Sequence, residues 1–222
     1  MASFNEATFE WELSELTSLK ELVIHGDSSH LVSFPEVMLP ASLTSLTIQH
    51  FPDLECFRFL ASLEDLSIMY CEKLTSFLED GLPPSLTSLF IYDCQNLTSF
   101  PEVGLPPSLT SLSIVECKNF TSFPENGLPP SLASLSISTC KKLTSFPKFG
   151  LSSSLTYLDI NYCKNITSFP EDGLPLSLLQ LHIGDCPLLI ERCKGREWFK
   201  IAHIPYIVID RSSFYKLEEE SR

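Results

Sequence analysis

A unit of the form SLxxLxIxxCxxLTSFPExGLPP returns along this chain with a fixed period of 23 residues. Its first leucine stands at Leu63, Leu86, Leu109, Leu132, Leu155 and Leu178. The second leucine keeps the same spacing from Leu66 to Leu181, the isoleucine from Ile68 to Ile183, and the cysteine from Cys71 to Cys186. A fixed period of this size means a stacked solenoid, because one such loop cannot bury its own apolar residues and its neighbours must. Two looser units precede the regular ones, starting at Leu19-Leu22-Ile24 and Leu43-Leu46-Ile48. That makes about eight repeats of 20–24 residues.

Inside a unit, Leu112 and Ile114 alternate with Ser111, Ser113 and Val115, which predicts a strand with one buried face. After Cys117 the chain turns away and brings Phe120 and Phe123 inward, and Gly127, Pro129 and Pro130 close the loop. Paired prolines lack amide donors and disfavour helix before them, so the outer side is expected to be mostly irregular or 3₁₀. Strands stacking in parallel at about 4.8 Å would make a sheet roughly 35–40 Å long over eight units. Leu, Ile and Phe of successive units then form columns in one core.

The segments read as an N-terminal lead-in over 1–18, a solenoid over 19–186, a capping segment over 187–210 and a polar tail over 211–222. In the lead-in, Phe9, Trp11 and Leu13 alternate like a strand. In the capping segment, Trp198, Phe199, Ile201, Ile204, Ile207 and Ile209 are placed to cover the last core layer. The tail ends Glu218-Glu219-Glu220-Ser221-Arg222 and is expected to fray.

The net charge of −13 disfavours nucleic acid, whose binding rests on Lys and Arg contacts, and favours a basic or polar protein surface as partner. No apolar run is long enough for a membrane span, and Met1–Glu6 lacks the pattern of a secretory signal. Six of the 8 cysteines share one repeat position and read as a buried thiol ladder rather than as disulfides or a metal site, since CxxC and HExxH spacings are absent. Asn96, Asn119 and Asn165 head sequons at one register, where a turn also favours Asn. Glu79, Glu102, Glu125 and Glu171 share one position that Lys148 interrupts, and read as a solvated face. The lysines after the ladder, Lys73, Lys118, Lys142 and Lys164, fall near one register as well.

LxxLxI followed by xxC identifies a leucine-rich repeat over about residues 16–190. The fold expected is a horseshoe-type α/β leucine-rich-repeat solenoid with a curved parallel sheet on its concave side. The finer pattern CxxLTSFPExGLPPSLxxL resembles the C-terminal repeats of plant intracellular nucleotide-binding leucine-rich-repeat disease-resistance proteins of the coiled-coil class. The ending resembles that family's tail: Cys186-Pro187-Leu188-Leu189, Glu191-Arg192-Cys193, Trp198, and Lys200 through Ile209. The resemblance implies a cytoplasmic domain that senses pathogen effectors or a guarded host protein and helps hold the receptor off. It implies nucleotide only on a separate domain; GxxxxGK[ST] does not occur here, so no cofactor is expected on this chain. Partners would be an effector, a guarded protein or the receptor's own nucleotide-binding domain. The chain then reads as a C-terminal piece of such a receptor or a truncated product.

Two other readings stay open. Substrate-recognition repeats of a ubiquitin-ligase adaptor tend to be longer, with helical outer segments. An extracellular receptor ectodomain tends to carry Asn, not Cys, at the ladder position, and glycans on Asn96, Asn119 and Asn165 would favour it. No nucleophile–base constellation stands out among the five histidines, so no enzyme activity is expected. The candidate binding face is the set of strand positions that point away from the core. Met69, Phe90, Tyr92 and Val115 form an apolar patch there, and Tyr157, Asp159, Asn161, Tyr162 and His182 a more polar cluster.

Overall fold

The computed structural model describes residues 13–26, 30–34, 39–57, 61–75, 77, 82–101, 103–147, 150–210 and 212–215. The repeat strands are β1 (Glu21–His25), β3 (Ser45–Gln49), β5 (Asp65–Met69), β6 (Ser88–Tyr92), β7 (Ser111–Val115), β8 (Ser134–Ser138), β9 (Tyr157–Asn161) and β10 (Gln180–Gly184). Two short strands on the opposite side, β2 (Ser33–Phe34) and β4 (Cys56–Phe57), pair with each other. The capping segment folds as helices α1 (Pro187–Lys194) and α2 (Trp198–Ile201), followed by β11 (Tyr206–Ile209) and β12 (Ser212–Tyr215). The main sheet runs β1-β3-β5-β6-β7-β8-β9-β10-β11-β12. Its first nine strands are parallel, and β12 closes it antiparallel.

The register is one-to-one, so Leu66, Leu89, Leu112, Leu135, Leu158 and Leu181 lie in one row. With a pleat period of two, that row and the isoleucine row fall on the same face, and both are buried. The strand ends at a residue in the left-handed region: His50, Tyr70, Asp93, Glu116, Thr139, Tyr162 and Asp185. This bend turns the next residue inward. There Cys71, Cys94, Cys117, Cys140, Cys163 and Cys186 form the expected buried, unpaired thiol column. Each thiol is a weak donor to backbone carbonyls, as from Cys140 Sγ to Ile114 O at 3.7 Å and Ser138 O at 3.6 Å.

Behind the column the phenylalanines stack. Phe77 and Phe100 lie 5.8 Å apart and nearly parallel, and Phe100 meets Phe120 edge-on at 5.7 Å. The outer loop then closes through two turns. The Gly127 amide bonds to Pro124 O, and glycine is required because φ is +84°. The Leu132 amide bonds to Pro129 O, with Pro130 pre-set for the second position of the turn. The outer side is thus irregular, as expected.

The serine before each first leucine has a structural task that its frequency hides. Ser85, Ser108, Ser131 and Ser177 donate to the carbonyls of Leu63, Leu86, Leu109 and Leu155 in the preceding unit, at 2.6–2.7 Å. In the unit lacking the proline pair, buried Ser152 stands in for this link and donates to Pro130 O at 2.9 Å. Two of the sequon asparagines act alike: Asn119 donates to Gln95 O and Asn165 to Lys141 O.

Three expectations meet a different outcome. The strand expected through Leu13 is a 3₁₀ turn, Leu13–Glu15, there, while Phe9 and Trp11 lie outside the described residues. The polar tail is not irregular throughout, because Ser212–Tyr215 pairs with β11. Residues 216–222 lie outside the described set, as do Glu79, Glu102 and Lys148 of the acidic row; Glu125 and Glu171 are exposed. Trp198 and Phe199, expected to cover the last core layer, stand 42 % and 73 % exposed. Lys73 is paired, its Nζ donating to Asp53 Oδ1 at 2.7 Å. That bond and one with His30 lower the Asp53 pKa.

The cap is joined to the last full loop through Glu197. This carboxylate is buried, accepts the Phe169 amide at 3.1 Å, and lies 3.8 Å from Lys200 Nζ and 3.5 Å from Arg192 Nη1. Lys200 in turn donates to Pro170 O at 2.9 Å. Glu197→Ala leaves a buried amide without its acceptor and a mostly buried ammonium without its counter-charge, which costs roughly 3 kcal/mol. Urea unfolding is expected to show that loss, with the fluorescence of Trp198 reporting the cap; an unchanged midpoint would refute the role assigned to Glu197.

The thiols give a second expectation. Burial pushes Cys117 up to about 11 and Cys193 up to about 12, and hydrogen bonding with Cys140, then burial, brings Cys163 to about 12. These groups stay neutral when folded but ionise near pH 9 when unfolded. Their contribution to stability is therefore complete below pH 9 and is lost as pH rises toward 11–12. Thermal melts from pH 7 to 11 should fall above pH 9. A disulfide reagent at pH 8 should label the ladder thiols only as fast as the protein opens.

Candidate binding face

Strand residues that do not enter the core form three rows on the open side of the sheet. The middle row pairs Ser67, Phe90, Ser113, Ser136, Asp159, His182 and Val208 in register. The row after the isoleucine pairs Gln49, Met69, Tyr92, Val115, Ser138, Asn161 and Gly184. A fourth row comes from the bend residues, whose side chains leave the strand alternation and stand along the rim.

Met69, Tyr92 and Val115 are direct neighbours in one row, and Phe90 stacks beside Tyr92 with centroids 6.3 Å apart at 12°. All four are half-buried, so they form one patch. The bend row enlarges it. His50 stacks on Tyr70 at 4.4 Å and 9°, and Tyr70 meets Tyr92 edge-on at 5.1 Å. His25 continues the line, 6.4 Å from His50. His50 and Tyr70 escaped the strand-based reading because they fall one residue past the alternation. The signal was the residue before each ladder cysteine, aromatic at Tyr70 and Tyr162.

Carboxylates border the aromatic line. Glu116 is the main cause of the raised Tyr92 pKa, ahead of hydrogen bonding with Tyr70. The Asp93 carboxylate accepts a short hydrogen bond from the Gln95 amide, which also donates to Glu116 O at 3.1 Å. Among the described residues, neither Asp93 nor Glu116 is paired with Lys or Arg.

The second cluster also comes together. His182 lies between two tyrosines, 5.4 Å from the Tyr157 ring and 5.6 Å from Tyr206, both edge-on. Tyr157 Oη is 3.5 Å from His182 Nδ1, and His182 Nε2 is buried with no hydrogen-bond partner. Burial, with Asp159 adding, raises the Tyr157 pKa. Asp159 accepts from Asn161 Nδ2 at 2.6 Å and from Ser136 Oγ at 3.2 Å. Tyr162 is a bend residue and 51 % exposed, so it stands on the rim. Asp159, Asn161, Tyr162 and His182, with Asp185 and Asp210, line a cup of about 380 Å³. Gly184 keeps its floor open, since a Cβ there would run into the Asn161 amide oxygen. Asp210 and Tyr206 were not foreseen, because the tail was read as a cover and not as a further strand.

The two clusters are separate. Between them β7 and β8 present mainly serine, at Ser111, Ser113, Ser134, Ser136 and Ser138. Cys186 does not face His182: its thiol donates to Gly184 O and Ile160 O. Among the described residues, no group of His, Cys, Asp and Glu is arranged to hold a metal ion, and no helix is long and apolar enough to cross a membrane.

No family model matches the chain. An 81-residue stretch, 34 % of the chain, is 37 % identical to a putative disease resistance protein of Arabidopsis thaliana, At3g14460; the match spans 6 % of that protein's length. Among solved structures, the leucine-rich repeat domain of the type III effector XopL superposes with a TM-score of 0.59 at 22 % identity, over 94 % of this chain and 72 % of that one. YopM from Yersinia enterocolitica is 19 % identical over 79 % of this chain and 61 % of its own, with a TM-score of 0.27. The strand stack and the XopL superposition together show a leucine-rich-repeat solenoid.

Proposed function

We propose that this chain is the recognition region of a plant disease-resistance receptor acting in the cytoplasm. It senses a pathogen effector or a guarded host protein, and it contributes to holding the receptor inactive. It does so by binding, with no catalytic step and no cofactor of its own. Nucleotide belongs to a separate domain of the receptor. The observation that carries this reading is the aromatic patch on the open face. Met69, Phe90, Tyr92 and the rim ring of Tyr70 gather over two neighbouring rungs, where exposed rings are good anchors for a protein partner. The stretch similar to the Arabidopsis protein supports the defence context.

Site-specific photo-crosslinking in plant tissue tests the reading. A crosslinking amino acid replaces Phe90 on the open face or Glu125 on the outer side of the full protein. Adducts are expected from position 90 and not from 125. An adduct to another protein identifies a sensed partner, and one to a distant part of the same protein identifies an inhibitory contact. Equal adducts from both positions, or none from 90, would overturn the assignment of the face. An immunoblot against the C-terminal tail tests the receptor context: a band several times the 25.0 kDa of this chain is expected, and a band at that mass alone would overturn it.

A further inference from the structure

We propose that the aromatic line on β5, β6 and the adjoining rim binds an arginine-bearing basic segment of a partner protein. The inference rests on the reading of this patch as a protein contact and names the chemistry of what fits it.

Two features meet at this place. The first is a row of packed rings, His50 stacked on Tyr70, Tyr70 perpendicular to Tyr92, and Phe90 stacked beside Tyr92. Tyr70 is 36 % exposed, enough for a planar group to lie against it. The second is the pair of half-buried carboxylates, Asp93 and Glu116, just beyond Tyr92. Both stand in the bend row after Tyr70, Asp93 one rung on and next in the chain to Tyr92, Glu116 two rungs on and next to Val115. Gln95 holds the Asp93 carboxylate in position. Ring faces carry negative charge at their centres, and so do carboxylates, so both draw a cation to one spot.

Magnitudes decide which occupant fits. A neutral apolar segment would cover the rings but also strip water from two carboxylates that have no Lys or Arg partner among the described residues, which disfavours it. An acidic or phosphorylated segment would meet these carboxylates and the chain's net charge of −13. Lysine carries a strongly hydrated point charge and loses that hydration on a ring face. A guanidinium is planar and weakly hydrated, stacks on an aromatic face and presents a fork of N–H donors to a carboxylate at its edge. Arginine is therefore the residue that satisfies both features at once. From His50 to Tyr92 is two rungs, roughly 10 Å, so an extended segment of about three or four residues covers the line.

The test is fluorescence anisotropy of this chain with two labelled peptides of equal length and charge, one alternating Gly and Arg, the other Gly and Lys. The Arg peptide is expected to bind about fivefold tighter. Phe90→Leu with Tyr92→Leu keeps apolar area and removes two of the rings. It should reduce that preference at least twofold while leaving the Lys peptide unchanged. Asp93→Asn with Glu116→Gln should weaken the Arg peptide about threefold or more and flatten its salt dependence. Glu125→Gln on the outer side should change neither peptide's preference. Matching thermal melts establish that each variant is folded. Equal binding of the two peptides, or an unchanged preference in the double-leucine variant, would overturn the proposal and leave only general attraction to an acidic chain.

The crosslinking experiment separates the two levels. If position 90 captures a partner and excess Gly-Arg peptide does not suppress the adduct, the arginine assignment fails and the patch remains a contact. If position 90 captures nothing and peptide binding does not depend on the rings, both fail.

Discussion

The bend that follows each parallel strand of the main sheet from β3 onward sets the geometry of everything else in this molecule. It needs one residue at positive φ, which costs a non-glycine residue on the order of 1–2 kcal/mol. The chain uses His50, Tyr70, Asp93, Glu116, Thr139, Tyr162, Asp185 and Asp210, none of them glycine. The cost is offset by hydrogen bonds. The amides of His50, Tyr70, Asp93, Glu116, Thr139 and Tyr162 each reach the last strand carbonyl of the next unit at 2.9–3.0 Å. The bend thus extends the ladder by one link before sending the chain inward. Without it, the alternation would continue and the cysteine could not join the core column.

The same bend moves one side chain per unit onto the rim, and this links fold to surface. Asp and His tolerate the left-handed region better than Tyr or Thr. Tyr70 stands there with one face against His50 and its ring close to perpendicular to that of Tyr92. Those contacts contribute locally, and they assemble a ring surface that a strand alone, with its side chains alternating up and down, would not present. Position in the unit, more than residue type, decides which aromatics become a platform and which become core. Phe100 and Phe120, a few residues further round, are buried to 5 % and 0 % exposure.

The repeat period, the buried rows and the thiol column were all legible in the sequence, because burial imposes one residue type at one position in every unit. The open-face rows were legible for the same reason, being the complement of the buried ones. What escaped was whatever lies outside the alternation. His50 and Tyr70 belong to the bend, whose φ leaves no composition signature when Asp, Glu, Thr, His and Tyr all occupy it. The ninth parallel strand was written as alternating Ile207 and Ile209 after Pro205, yet capping helices separate it from β10 and shift its spacing. The role of Glu197 could not be seen at all, since nothing in the sequence marks a carboxylate 28 residues from Phe169 as the acceptor of its amide.

The serine-rich centre of the face has a physical consequence. Small side chains on β7 and β8 leave backbone close to the surface, while the rings on β6 and the tyrosine–histidine group on β9 and β10 stand taller. From β6 to β9 is three rungs, roughly 14 Å. A partner that touches both clusters must therefore carry a ridge that fills the shallow centre, or two projections that straddle it. Both clusters border carboxylates, Asp93 and Glu116 on one side and Asp159, Asp185 and Asp210 on the other. A single basic protein surface can engage both ends, and each end alone is small. Coupling two weak contacts on one rigid sheet raises affinity through effective concentration and needs no deep pocket in either. Near-identical central units supply that rigid spacing, and the few units that depart from them carry the two clusters.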